Sequence, residues 1–196
     1  MQFLLATKNR DKVIEIRAKL ASLNIDLISA ADRDDLPDVV EDAPDLEGNA
    51  IKKAKTLFEI TGIPSIADDT GLEVDALGGA PGVFSSRYSG PNATYAENVN
   101  KLLSEMKHVP SANRSARFRT VVALVSATGT RTVDGACLGT ITTEKRGSGN
   151  FGYDPVFEVL GTGKTMAEMT LDEKNKISHR GRAFQRLLEL IQKELT

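Results

Sequence analysis

The stretch Gln2–Leu20 reads QFLLATKNRDKVIEIRAKL, and its reading decides the fold class. Gln2–Ala6 is a short apolar run of strand length. From Lys12 onward Val13, Ile16 and Leu20 recur at helical spacing with charges between them, a pattern that extends to Leu23. A buried strand running directly into an amphipathic helix is a βα unit. The junction, Thr7-Lys8-Asn9-Arg10-Asp11-Lys12, is more polar than a connection requires. If the helix begins near Arg10, outward-facing N–H groups and the helix dipole suit an anion there. Thr7 and Asn9 add hydrogen-bonding groups, and Lys12 adds a full charge. The same residues also read as an Asn9 N-cap followed by solvated lysines. Taken alone, the stretch allows both.

Outward from this unit, Ile25–Ser29 is a second short strand, and Ala31–Glu47 is an acidic, proline-containing loop. Asn49–Ile60 places Ala50, Ala54, Leu57 and Phe58 on one helical face, with Gly62 and Pro64 as stop signals. Ser65–Ala67 and Leu72–Ala76 read as strands around a polar turn, Asp68-Asp69-Thr70-Gly71. Leu77–Pro91 is a loop. Thr94 and Glu97 form a capping box ahead of a helix through Val99, Leu102, Leu103 and Met106. Arg117–Ala127 and Thr130–Thr143 flank Thr128-Gly129 as a hairpin. Phe151–Leu160 reads as an aromatic strand. Ser178–Leu195 is an amphipathic helix with Phe184, Leu187, Leu188 and Ile191 inward. With βα units early and a hairpin late, the class is α/β with a mixed sheet.

At 196 residues the chain is expected to form one domain, 1–196, or one domain with two lobes. A formal net charge of −2 argues against broad attraction to nucleic acid. The single cysteine, Cys137, excludes an intramolecular disulfide and reads as a small strand residue. No apolar run approaches the roughly 18 residues of a membrane span, and Gln2–Ala6 is too short for a signal h-region and has no cleavage site after it. A cytoplasmic location is expected.

Three further stretches could carry chemistry. SIADDTG (65–71) sets two adjacent carboxylates, Asp68 and Asp69, after an apolar strand, where sites in α/β sheets gather. Such a pair suits Mg²⁺, with Glu41, Asp42, Asp45 and Glu47 of the acidic loop as further ligands. It also has the composition of an Asx turn before Gly71. NFGYDPVF (150–157) holds Phe151 and Tyr153 around Gly152, where a ring could stack on a base; both rings also read as core. DEKNKISHRGRAF (172–184) opens within a second capping-box match, Thr170–Glu173, and gathers Lys174, Lys176, Ser178, His179, Arg180 and Arg182 before an apolar helix. LGTGKT (160–165) imitates the tail of a P-loop, but Glu158 stands where the pattern needs glycine. HExxH, CxxC and GxSxG are absent, so zinc and serine-hydrolase chemistry have no support.

Together LATKNRDK, EGNAIKKA, IADDTGLEVDALGGAPGVFSSRYSG, NFGYDP and EKNKISHRG resemble, in order and spacing, the inosine triphosphate pyrophosphatase family of non-standard purine nucleotide pyrophosphatases, its bacterial members most of all. The resemblance implies an elongated mixed β-sheet flanked by helices, in two lobes with a central substrate cleft. It implies a Mg²⁺-dependent homodimer that converts ITP, dITP and XTP to the monophosphate and pyrophosphate. It assigns the triphosphate to Thr7, Lys8, Asn9, Arg10, Asp11, Lys12 and Lys53. Asp69 becomes the general base and, with Glu41, the metal ligand; Thr70 touches substrate. The base pocket falls to Phe151, Gly152, Tyr153, Asp154, Lys174, His179 and Arg180. Lys8 and Arg10 replace residues that are more often small, and Asp45-Leu46 replaces an expected threonine and aromatic. A Maf-like pyrophosphatase of similar fold, acting on modified pyrimidines, is opposed by SHRG together with FGYDP. A non-catalytic nucleotide sensor would have no need of Asp68, Asp69 and Glu41.

Overall fold

The computed structural model describes residues 2–20 and 25–194. In chain order the regular elements are β1 (Gln2–Leu5), α1 (Arg10–Leu20), β2 (Asp26–Ser29), α2 (Leu46–Thr61), β3 (Ser65–Val74), β4 (Pro81–Gly82), α3 (Tyr95–Glu105), β5 (Ser115–Ser126), β6 (Gly129–Ile141), β7 (Phe157–Val159), α4 (Leu171–Ile177) and α5 (His179–Glu194). The strands follow in the order β2-β1-β3-β5-β6-β7, with β4 beside β3. β1 runs parallel to β2 and β3, whereas β4 pairs antiparallel with β3, and β7 with β6. The mixed α/β class read from the sequence is therefore what forms. The helical pattern expected to reach Leu23 is observed to Leu20; residues 21–24 lie outside the described residues, as does Leu195.

The chain divides into two compact units. The first comprises Met1–Asp69, Thr120–Gly135 and Arg180–Thr196. Its core joins Phe3, Leu5, Ile66, Val122 and Leu124 of the strands to Val13, Ile16 and Leu20 of α1 and Phe184, Leu187, Leu188 and Ile191 of α5. Helix α1 starts because Asn9 Oδ1 accepts from the amides of Asp11 (3.0 Å) and Lys12 (3.2 Å), the N-cap reading of that residue. Helix α2 is capped by Asp45, whose Oδ1 accepts from Gly48 N at 2.7 Å. It ends at Gly62, whose φ of 68° lets its amide turn back to Phe58 O. The Asp45-Leu46 pair is thus a helix start, and Asp45 is committed to the cap.

The second unit comprises Thr70–Arg119 and Ala136–His179. Its core gathers Leu72, Val74, Val99, Leu102, Met106, Phe118, Ile141, Phe157 and Met166. Cys137 is buried among them as a small strand residue. Both expected capping boxes form, Thr94 with Glu97 and Thr170 with Glu173. Buried Arg114 donates to the carbonyls of Met106 (2.7 Å), Val109 (3.2 Å), Ile141 (2.7 Å) and Thr142 (2.8 Å), tying the end of α3 to the end of β6. Leu160–Thr165, the P-loop mimic, is a tight connection in which Val159 N bonds Lys164 O at 3.0 Å, and Lys164 pairs with Glu173.

Two expectations need correction. Asp68–Gly71 is not a turn, because β3 runs unbroken from Ser65 to Val74. Burial of both carboxylates against cations and an amide holds them in extended backbone, overriding a composition that favours turns. Phe151–Leu160 is not one strand: Asp154–Val156 is a 3₁₀ turn, and only Phe157–Val159 is extended. Gly152 sits at φ 54°, and Pro155 has no N–H for a ladder.

Candidate active site

The continuity of β3 gives the aspartate pair its geometry. Successive strand side chains point to opposite faces. Ile66 and Asp68 face the layer of α1 and α5, and Asp69 faces α2. Two adjacent carboxylates thereby acquire different partners and different roles.

On the first face Asp68 Oδ2 receives Lys12 Nζ at 3.1 Å and Arg180 Nε at 3.3 Å. Arg180 Nη1 also pairs with Glu15. Burial alone would raise the Asp68 carboxyl, but Lys12, Arg180 and Lys53 outweigh it and hold it below the usual carboxylate range. Burial pulls the Lys12 ammonium down against the pull of Asp68. Lys12 is thus turned inward onto Asp68 and is not a solvated lysine, while its neighbours differ. Lys8 pairs with Asp38 at 3.2 Å on the surface, Arg10 reaches Ala31 O, and Asp11 is exposed. Thr7 Oγ1 accepts from Asn9 N at 3.2 Å and shapes the turn before α1.

On the second face Asn49 Nδ2 donates to Asp69 Oδ2 at 3.0 Å, and Lys53 Nζ stands 3.5 Å from Asp69 Oδ1. Lys53 also donates to Asp68 O at 2.8 Å and pairs with Glu41. Burial, with Glu41 adding, raises the Asp69 carboxyl against the pull of Lys53. Burial lowers Lys53, but Asp69, Glu41 and Asp68 together hold it above its ordinary value. Asn49 was not singled out by sequence reasoning. Its signal was present: with Ala50, Lys53, Ala54 and Leu57 it lies on the buried stripe of α2, so a polar side chain there needs a partner. It finds two, because its Oδ1 also accepts from Ala43 N at 3.0 Å. Of the other acidic-loop candidates, Asp42 pairs with Lys52 and Glu47 accepts from Thr132. Among the described residues no three carboxylate, histidine or cysteine side chains cluster as a metal cage.

In the second unit Lys174 Nζ lies 2.8 Å from Asp154 Oδ2 and 5.4 Å from the centre of the Phe151 ring. Tyr95 meets that ring edge-on at 5.4 Å. Phe151, Asp154 and Lys174 thus come together as expected. Tyr153 does not join them through its ring: it is buried in the core, and its hydroxyl donates to Ser85 O at 2.9 Å. His179 is buried and stacked on Phe118 at 4.6 Å. Thr70 follows Asp69 on β3, half-buried. Arg180, expected beside the base, is engaged by Asp68 and Glu15 within the first unit. It stands in the first turn of α5 and reaches Glu15 on α1.

Comparison with known proteins adds what geometry cannot. The Ham1 family model matches residues 3–190. The chain belongs to the Ham1 family. A dITP/XTP pyrophosphatase of Geobacter sulfurreducens is 50% identical over 184 residues, covering 93% of this chain and 92% of that one. A protein of the same name from Bacillus licheniformis is 45% identical, covering 97% of each. Among Ham1 structures, that of a HAM1 protein from Coxiella burnetii superposes with a TM-score of 0.90 at 39% identity, covering 98% of this chain and 99% of that one. The Ham1 assignment bears out the family resemblance drawn from LATKNRDK, IADDTG and SHRG, and it covers both units.

Proposed function

We propose that this chain hydrolyses non-standard purine nucleoside triphosphates (dITP, XTP and ITP) to the monophosphate and pyrophosphate. One observation carries the reading: adjacent carboxylates on one strand, one neutralised by Lys12 and Arg180, the other raised by burial and faced by Lys53 and Asn49. That is a base beside a seat for polyanions. The names of the 42–50% identical relatives supply the substrate class.

Lys12 and Lys53 take the phosphate charges, at the positive end of the α1 dipole. Water attacks the α-phosphorus, the bond to the bridging oxygen breaks, and pyrophosphate leaves. Asp69 orients that water and accepts its proton, a role suited to a carboxylate whose proton affinity is raised. Asn49 fixes which carboxylate oxygen faces the α2 side. Glu41 and Asp69 both face Lys53, and this oxygen-only pair fits Mg²⁺, which commonly takes one or two carboxylates and completes its shell with water and substrate phosphates. Held there, the ion would neutralise charge developing on the phosphates. Phe151, Asp154, Lys174 and His179 are assigned to the base, with Thr70 as a further substrate contact. A donor such as Lys174 matches the 6-oxo group of hypoxanthine and xanthine and opposes the amino group of adenine. A homodimer and a cytoplasmic location belong to the same reading.

Pyrophosphate release from dITP, XTP, dATP, dGTP and modified pyrimidine triphosphates, with Mg²⁺, tests it. Turnover of dITP and XTP well above the others is expected. Equal rates on all, or none on dITP, would refute it.

A further inference from the structure

Glu15 lies three residues beyond Lys12 on α1, so the two side chains share a helix face. Nothing in the motif assigns it a role; by sequence it is one of the charges between apolar positions. In the structure its carboxylate is largely buried and pairs with Arg180 Nη1. Arg180 Nε and Lys12 Nζ meet the same oxygen, Asp68 Oδ2, at 3.3 and 3.1 Å. Four charges therefore form one chain, Glu15–Arg180–Asp68–Lys12, two negative and two positive, within the first unit.

We propose that Glu15 is a positioning residue: by drawing Arg180 away from sole possession of Asp68, it leaves one face of that carboxylate oxygen to Lys12 and so fixes where the lysine stands for phosphate. The inference rests on the reading of Lys12 as a phosphate ligand. Its physical basis is competition. One carboxylate oxygen serves two cations, and a guanidinium can offer a carboxylate two parallel N–H groups where an ammonium is a point charge. Without Glu15, Arg180 loses one of its carboxylate partners and turns its fork onto Asp68. Lys12 then loses its anchor and is left mobile in a partly buried place.

The test compares wild type, Glu15→Gln, Glu15→Asp and Glu15→Met. Two readouts are used: steady-state kinetics on dITP and dATP, and calorimetric binding of inorganic tripolyphosphate, which requires neither a purine nor turnover. Glu15→Gln should raise KM for dITP and weaken tripolyphosphate by about ten- to a hundredfold, the scale of misplacing a positioning group. Glu15→Asp should recover most of that loss, and the dITP-to-dATP ratio should stay at the wild-type value in every variant. In a Lys12→Met background, Glu15→Gln should change tripolyphosphate binding by less than about twofold, because the residue it acts through is gone. A merely structural carboxylate would lower the melting temperature and the active fraction, leaving KM and tripolyphosphate affinity where they were. That result overturns the proposal, as do additive losses in the double variant or a narrowed dITP-to-dATP ratio. If Glu15→Gln fails to fold, Glu15→Met, which removes the charge and keeps the side-chain length in a largely buried place, is read for the same KM rise and the same loss of tripolyphosphate affinity, and unchanged values overturn the inference. Wild-type protein that binds tripolyphosphate yet leaves dITP intact refutes the proposed function alone; wild-type protein that fails to bind tripolyphosphate refutes this one.

Discussion

Lys12 Nζ and Arg180 Nε meet on a single oxygen of Asp68, at 3.1 and 3.3 Å, so this carboxylate is the joint between α1, β3 and α5. Removing its charge leaves two buried cations facing one another. Asp68→Asn should destabilise the protein by about 3–5 kcal/mol, the usual cost of breaking a buried pair from one side. Urea denaturation at pH 7 measures it; a loss below about 1 kcal/mol would mean that water reaches the site freely.

The same joint gives stability a pH dependence of definite sign. The folded-state pKa of Asp68 is depressed, so its contribution is present above the ordinary carboxylate value and fades as pH falls toward the folded one. The wild type should lose stability progressively below about pH 4. Asp68→Asn should show a flatter acid limb over the same range. Equal acid limbs in the two proteins would place the dependence on other carboxylates.

Asp69 and Asn49 define a second prediction. Asp69→Asn should keep nucleotide binding and lose turnover by about a hundredfold or more, as for loss of a general base. Asn49→Leu removes the partner of both Asp69 Oδ2 and the Ala43 amide. It should cost about 1–3 kcal/mol of stability through these unsatisfied groups, and turnover should fall with it. Pyrophosphate release and calorimetric binding of a non-hydrolysable dITP analogue separate the two effects. Full turnover in Asp69→Asn would remove that residue from the chemistry.

The β1–α1 unit, both capping boxes, the hairpin and the rejection of the P-loop mimic were legible in the sequence because each depends on neighbours within a few residues. The unbroken course of β3 was not. Asp68-Asp69-Thr70-Gly71 has turn composition, and only partners far along the chain (Lys12, Asn49, Lys53 and Arg180) make it a strand. For the same reason the resemblance could nominate Asp69 and Lys12 for the site but could not show that Lys8 and Arg10 face away. It also could not show that Arg180 is held by carboxylates. Asn49 and Glu15 escaped notice because a polar residue on a helix reads as solvated until the packing face is known; Asn49 beside Ala50 and Lys53 was the one with a visible signal.

Phe151 and Tyr153 were equivalent as letters in NFGYDP, and the structure separates them. Phe151 is half-buried, edged by Tyr95 and close to Lys174, so its ring keeps a surface that a base can use. Tyr153 is 4% exposed and spends its hydroxyl on Ser85 O. Phe151→Ala should weaken binding of the dITP analogue by about 1–3 kcal/mol, the scale of one stacked base, with little change in melting temperature. Tyr153→Phe should do the reverse. It should lose about 0.5–1.5 kcal/mol of stability with the hydrogen bond and bind the analogue as wild type does. Calorimetry on the analogue and thermal melts of the two variants give the comparison. If Phe151→Ala lost stability and kept affinity, the ring would be a core residue and base stacking would have to come from another side chain.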